Sequence, residues 1–109
     1  ARMFDASMFG AMKSGAFFYN VGRGIVVDED ALFTALKSRH LGGAAIDVFQ
    51  QEPLQADHPL WDLDNILITP HSAGRSVKEF DRICDLFVRN LQRLEKGEPL
   101  LNRIDLSNE

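Results

Sequence analysis

Three short apolar runs set the strongest constraint on the fold of this chain. The segments AFFYN (16–20), GAAIDVF (43–49) and ILITP (66–70) are too short for independent helices, and turn residues flank them. Runs that are apolar at consecutive positions predict strands buried on both faces, and such strands pair in parallel. Because a helix pattern and a loop separate the runs, we expect an α/β fold: a Rossmann-like parallel sheet with flanking helices and right-handed crossovers.

Two short helices are predicted around the first strand. Asp5 caps a helix that runs to Met12, and Gly15 supplies the positive φ that ends it. Asp28 caps a second helix, whose acidic first turn and basic last turn match the helix dipole. Gly42 is expected to stop this second helix.

A third helix is predicted by a long apolar stripe. Ser76 and Glu79 have capping-box spacing at its start, and Gly97 and Pro99 provide its stop. The stripe consists of Val77, Phe80, Ile83, Cys84, Phe87, Val88, Leu91 and Leu94. A helix with such a face needs a packing partner, so we expect it to lie on the sheet, with Cys84 as a small core residue.

The segment between the second and third strands, residues 50–65, is rich in Pro, Asp and Gln and lacks a sustained period. It is therefore predicted to be a loop with one turn around Leu60 and Trp61. Trp61 and Phe49 are expected to be packing residues.

Charge and cysteine content exclude several classes of protein. The 109 residues carry a formal charge of −4 with dispersed Lys and Arg, which disfavours a nucleic-acid partner. The single cysteine, Cys84, can form no internal disulfide and no cysteine metal site, so a reducing cytoplasm is expected and no metal is predicted. No apolar stretch nears the roughly 20 residues that span a bilayer, so we expect a soluble protein with no membrane partner.

A polar side chain follows each predicted strand: Arg23, Glu52 and His71. Because the carboxyl ends of parallel strands meet at one edge of a sheet, we expect these three side chains to lie together. Each one alone also fits a structural role, Arg23 as an exposed turn residue, Glu52 as ordinary loop composition and His71 as a strand-end residue. Their joint placement favours a functional site.

These residue types suit the reduction of a 2-oxo acid. A protonated His71 can donate to a carbonyl oxygen, while Glu52 orients the ring and favours its charged form. Arg23 can bind a carboxylate through two parallel hydrogen bonds. Side chains supply no hydride, so a nicotinamide cofactor has to lie at the same edge.

Two further features bear on cofactor binding. Asp47 is a carboxylate in an apolar run, so it either accepts hydrogen bonds from backbone amides or meets a ligand. Gly22, Arg23 and Gly24 follow a strand, but position 27 is Val, so the glycine fingerprint of dinucleotide-binding turns is incomplete and we reject it.

Three segments in order, NVGRGIVVDEDAL, GAAIDVFQQEPL and HPLWDLDNILITPHSAG, resemble the signature segments of the D-isomer-specific 2-hydroxyacid dehydrogenases. This family includes glyoxylate/hydroxypyruvate reductases and phosphoglycerate dehydrogenases, and the resemblance covers roughly residues 6–97. It implies NAD- or NADP-dependent interconversion of 2-oxo and D-2-hydroxy acids, with Arg23 as carboxylate binder, His71 as acid/base and Glu52 as its partner. It further implies that the following residues line the nicotinamide half of the cofactor: Val21, Gly22, Arg23, Asp47, His71, Ser72, Ala73 and Gly74.

Family members are longer, with a separate substrate domain and an upstream glycine fingerprint. Residues 1–109 are therefore expected to be the second half of a dinucleotide-binding domain, inactive alone, from a parent that forms a homodimer. The alternatives are a dinucleotide-sensing regulatory or corepressor-type protein on the same fold and an inert structural fragment. The sequence leaves open which 2-hydroxy acid is used and whether the coenzyme is NAD or NADP.

Overall fold

The computed structural model describes residues 3–105, and three parallel strands form its sheet. Strand β1 is Ala16–Asn20, β2 is Leu41–Ile46 and β3 is Ile66–Ile68. The strand order is β1-β2-β3, with Phe18 paired to Ala44 and Ala44 to Ile66. The predicted α/β parallel sheet is therefore confirmed.

Helix α1 is Ala6–Ala11, α2 is Glu29–Lys37 and α3 is Glu79–Glu95. The caps predicted for the first two are present: Asp5 accepts from the Met8 N–H and Asp28 from the Ala31 N–H. Short 3-10 turns occupy Gly24–Val26 and Pro59–Asp62, the latter confirming the turn predicted near Leu60.

Two predicted helix boundaries are wrong. Helix α2 ends at Lys37 and the positive φ beyond it belongs to Arg39, whereas Gly42 lies in β2. A glycine is needed at this strand position for a steric reason: a Cβ at Gly42 would lie 2.6 Å from the Gly15 carbonyl oxygen. The third helix begins at Glu79, because the Ser76 hydroxyl accepts from the Lys78 N–H rather than capping the helix.

The core lies on one face of the sheet. Phe9 of α1 and Leu32 and Leu36 of α2 are buried with Phe18 of β1, and the Phe9 and Phe18 rings meet edge to face at 5.1 Å. The other face is exposed at Phe17, Tyr19 and Leu67, which are 62%, 68% and 62% accessible to solvent. The prediction that β1 is buried on both faces is therefore wrong, because α1 and α2 cover the same face.

The chain divides into two compact units, Ala1–Gly74 and Arg75–Glu109, and the sheet belongs wholly to the first. Helix α3 belongs to the second and ends as predicted, with Gly97 at φ +68°. None of its residues is buried, and Cys84 is exposed, so the expected core role of this cysteine is wrong. Among the described residues, no helix has both the length and the apolar character to cross a membrane.

Candidate active site

Glu52 and His71 form a close pair beyond the carboxyl ends of β2 and β3. The His71 Nδ1 atom lies 2.6 Å from Glu52 Oε2, and Glu52 Oε1 accepts from the Phe49 N–H at 2.9 Å. These bonds, the one from His71 first, lower the pKa of Glu52. Glu52 is therefore ionised at neutral pH, and Nδ1 carries the proton that the pair shares. The predicted contact between these residues is present.

The backbone of His71 is held in an unusual conformation by two hydrogen bonds. Its φ is +50°, in the left-handed region, and its N–H donates to the Asp47 carbonyl at 2.9 Å and the Thr69 carbonyl at 3.1 Å. The side chain is half exposed, and Nε2 forms no hydrogen bond with any described residue. Nε2 is therefore available to a reacting molecule.

Asp47 organises the turn that follows β3. Its side chain is buried and accepts from the Thr69 hydroxyl and from the Ser72 and Ala73 N–H groups, both at 2.9 Å. The hydroxyl bond first, and then the two amide bonds, lower the pKa of Asp47. The sequence left two roles open for Asp47, binding backbone amides or binding a ligand, and the structure shows the first. Among the described residues, Oδ2 has Ala73 as its one hydrogen-bond partner, and a ligand contact at that atom stays a prediction.

A buried asparagine shapes the turn that carries Arg23. The Asn20 Oδ1 atom accepts from the Gly22 N–H and its Nδ2 donates to the Arg23 carbonyl, each at 3.1 Å. Arg23 is exposed and donates to the Gly22 carbonyl at 2.7 Å, and it forms no ion pair with a described residue. Sequence reasoning missed Asn20, although Asn two residues before Gly at a strand end is typical of such turns.

Gly24 explains why a glycine follows Arg23. A Cβ at Gly24 would lie 2.0 Å from both the carbonyl carbon and the oxygen of Phe49. Only a residue without a side chain lets the two backbones come this close. The Arg23 turn is thereby placed against the segment that leads to Glu52, which brings both functional segments to one edge of the sheet.

The residues predicted to line a nicotinamide also occupy this edge. Val21 is 64% exposed directly after β1, and the space around Gly74 is open. Both positions are accessible to a bound molecule. That they line a nicotinamide stays a prediction.

A cavity of about 520 Å³ opens beside the Glu52–His71 pair, and Phe49, Leu54 and Trp61 contribute to its walls. Phe49 is buried, as predicted for a packing residue. Trp61 is 49% exposed and donates through Nε1 to the Gln55 carbonyl at 2.8 Å, so its predicted packing role is wrong. Within residues 3–105 no cluster of His, Cys, Asp or Glu suits a metal ion.

A known protein family matches more than half of this chain. The profile of the D-isomer specific 2-hydroxyacid dehydrogenase, NAD binding domain, matches residues 1–73. A crystal structure of a D-isomer specific 2-hydroxyacid dehydrogenase from Xanthobacter autotrophicus Py2, in complex with NADPH and MES, has a TM-score of 0.86 and is 43% identical. The match covers 95% of this chain and 42% of the Xanthobacter autotrophicus chain.

Two curated relatives are similar over most of this chain. A glyoxylate reductase from Thermofilum pendens is 46% identical over 80% of this chain and 26% of its own length. An (S)-sulfolactate dehydrogenase from Chromohalobacter salexigens is 42% identical over 84% of this chain and 29% of its own. The chain thus spans less than a third of either relative. It belongs to the family of D-isomer specific 2-hydroxyacid dehydrogenases and matches their NAD-binding domain.

Proposed function

We propose that the protein containing this chain is an oxidoreductase that transfers a hydride between NADH or NADPH and a 2-oxo acid, giving a D-2-hydroxy acid. The observation that carries the proposal is the 2.6 Å contact between Glu52 and His71, whose Nε2 is free to meet a reactant. The names of the two curated relatives, a glyoxylate reductase and an (S)-sulfolactate dehydrogenase, support this substrate class.

Each residue of the site has a distinct task in this reaction. The bound nicotinamide cofactor supplies the hydride, and this chain's residues handle the substrate and the proton. His71 donates the Nε2 proton to the carbonyl oxygen as it becomes a hydroxyl, and Glu52 stabilises the protonated ring through Nδ1. Arg23 binds the substrate carboxylate through guanidinium N–H groups that its bond to Gly22 leaves free. Asp47 holds the His71 turn.

The cofactor role of the sheet edge belongs to the same proposal. Val21, Gly22, Arg23 and the turn from His71 to Gly74 would line the nicotinamide half of the cofactor. Asp47 Oδ2 would accept from the carboxamide. The NAD-binding description of the matched family and the NADPH held by the Xanthobacter autotrophicus protein support this assignment.

His71 provides the direct test of the mechanism. In the protein containing this chain, His71→Asn removes the proton donor and keeps a polar side chain of similar size. We expect kcat for glyoxylate or hydroxypyruvate to fall about 10²- to 10⁴-fold. The dissociation constant for NADPH should change less than about threefold, because the ring acts on the substrate oxygen. Stopped-flow absorbance and fluorescence titration measure the two quantities.

His40→Asn is the matched control, because the His40 ring contacts the Phe9 carbonyl away from the site and its loss should leave turnover intact. An unchanged kcat in His71→Asn would remove His71 from the mechanism. A wild-type protein that binds dinucleotide but reduces no 2-oxo acid would favour the regulatory alternative, which no observation favours at present.

We further propose that this protein is cytoplasmic and forms a homodimer. The single cysteine fits a reducing compartment, and the resemblance to the family supports a dimer. Cell fractionation and light scattering of the protein containing this chain test these assignments.

A further inference from the structure

Gln50 lies at the start of the loop that carries Glu52, and two hydrogen bonds fix it. Its backbone N–H donates to Glu29 Oε1 at 2.7 Å, and its side-chain amide donates to the Val27 carbonyl at 2.7 Å. Both partners belong to the segment that leads from Arg23 into α2. Gln50 is thus held to the segment that also carries Arg23, the residue proposed to bind the substrate carboxylate.

The second oxygen of Glu29 faces the far part of the same loop. Glu29 Oε2 lies 3.6 Å from His58 Nε2, and the two side chains are only 17% and 21% exposed. His58 Nδ1 accepts from the Leu60 N–H at 3.3 Å, so the ring proton of the neutral form lies on Nε2, toward Glu29. One carboxylate therefore contacts residues 50 and 58, on both sides of Glu52.

The fixed amide of Gln50 directly follows Phe49, the residue whose N–H binds Glu52. The Gln50 N–H shares a planar peptide unit with the Phe49 carbonyl, so holding this N–H restricts the ψ angle of Phe49. The Phe49 N–H is the donor to Glu52 Oε1, whose other oxygen contacts His71. Glu29 is thus linked to the carboxylate that holds the His71 ring through the backbone of a single residue, Phe49.

We propose that Glu29 is a positioning residue for the Glu52–His71 pair, acting through its hydrogen bond to Gln50. A carboxylate at the first residue of α2 would ordinarily serve only the helix dipole, but both oxygens of Glu29 face the loop. The catalytic meaning of this role rests on the proposed function, whereas the positioning can be measured without turnover.

The test uses Glu29→Ala in the 109-residue chain, with amide hydrogen exchange and carbon-13 NMR titration of the Glu52 carboxyl group. We expect exchange at Phe49 and Gln50 to accelerate about tenfold relative to the amides of β2, because a local hydrogen bond is lost. The pKa of Glu52 should rise toward its ordinary value, because its bonds to the Phe49 N–H and His71 weaken.

Asp30→Ala is the matched control. It also removes one carboxylate from the first turn of α2, but Asp30 is exposed and its side chain makes no hydrogen bond or ion pair with residues 50–58, so both readouts should stay at wild-type values. Glu29→Gln keeps an acceptor oxygen at the same distance from the backbone. Compared with Glu29→Ala, it should restore most of the exchange protection at Phe49 and Gln50.

Unchanged Phe49 exchange and Glu52 titration in Glu29→Ala would overturn the proposal, as would equal changes in Asp30→Ala. If Glu29→Ala does not fold, Glu29→Asp keeps the charge and shortens the reach, and it should show the same selective loss at Phe49 and Gln50. Wild-type behaviour of a folded Glu29→Asp would then contradict the proposal. Neither result depends on whether the protein containing this chain reduces 2-oxo acids.

Discussion

At the scale of single residues, two carboxylates organise the carboxyl edge of the sheet. Asp47 accepts from the turn that follows His71, and Glu52 accepts from His71 itself. Hydrogen bonds to each lower its pKa from ordinary values of 3.8 and 4.5. A carboxylate with a lowered pKa stabilises the folded state above its unfolded pKa, and that contribution is lost as pH falls through the folded pKa.

The lowered pKa values of Glu52 and Asp47 predict that the chain loses stability at acid pH. The free energy of unfolding of the 109-residue chain should fall as pH drops below about 4.5, measured by urea titration from pH 7 to pH 3. Glu52→Gln should show a shallower fall, because it removes one of the carboxylates with a lowered pKa. Part of the slope belongs to Asp64, whose pKa the Arg39 guanidinium lowers. Equal slopes in wild type and Glu52→Gln would show that the pair adds no acid-sensitive stability.

At the scale of elements, the site depends on how closely two loops pack. A Cβ at Gly24 has to displace the Phe49 carbonyl, so Gly24→Ala should destabilise the chain by about 1–3 kcal/mol or prevent folding. Gly10→Ala is the control, because Gly10 lies in α1 with open space around its Cβ position. This helix substitution should stabilise by about 0.5–1 kcal/mol. Thermal unfolding compares the two, and a neutral Gly24→Ala would contradict the close packing of these loops.

At the scale of the whole molecule, the chain matches only part of its relatives and leaves one face of its sheet exposed. Phe17, Tyr19 and Leu67 present this apolar face, and the chain spans 26% of the glyoxylate reductase it resembles. We therefore expect the 109-residue chain to bind NADH weakly or not at all, and to show no turnover. Isothermal titration of the 109-residue chain beside a full-length member of the family measures the difference. Tight binding by the 109-residue chain would show that its own residues suffice for the cofactor.

Several features of the fold and the site could be predicted from local sequence alone. The three strands, the caps at Asp5 and Asp28 and the residues that follow each strand depend on neighbours in the chain, through side-chain period and hydrogen bonds over three residues. Parallel pairing then places Glu52 and His71 at one edge, which is why their contact could be expected.

Other features were decided only by the tertiary structure. The exposed face of β1, the place of Gly42 in β2 and the contact of Glu29 with Gln50 join segments far apart in the chain. Local propensity carries no information about which distant backbone comes near a given residue, because the packing of other elements settles that distance. The sequence by itself therefore determined the strands, the caps and the edge at which polar side chains meet. Packing between distant segments decided which surfaces are covered and which residues hold Glu52 in place.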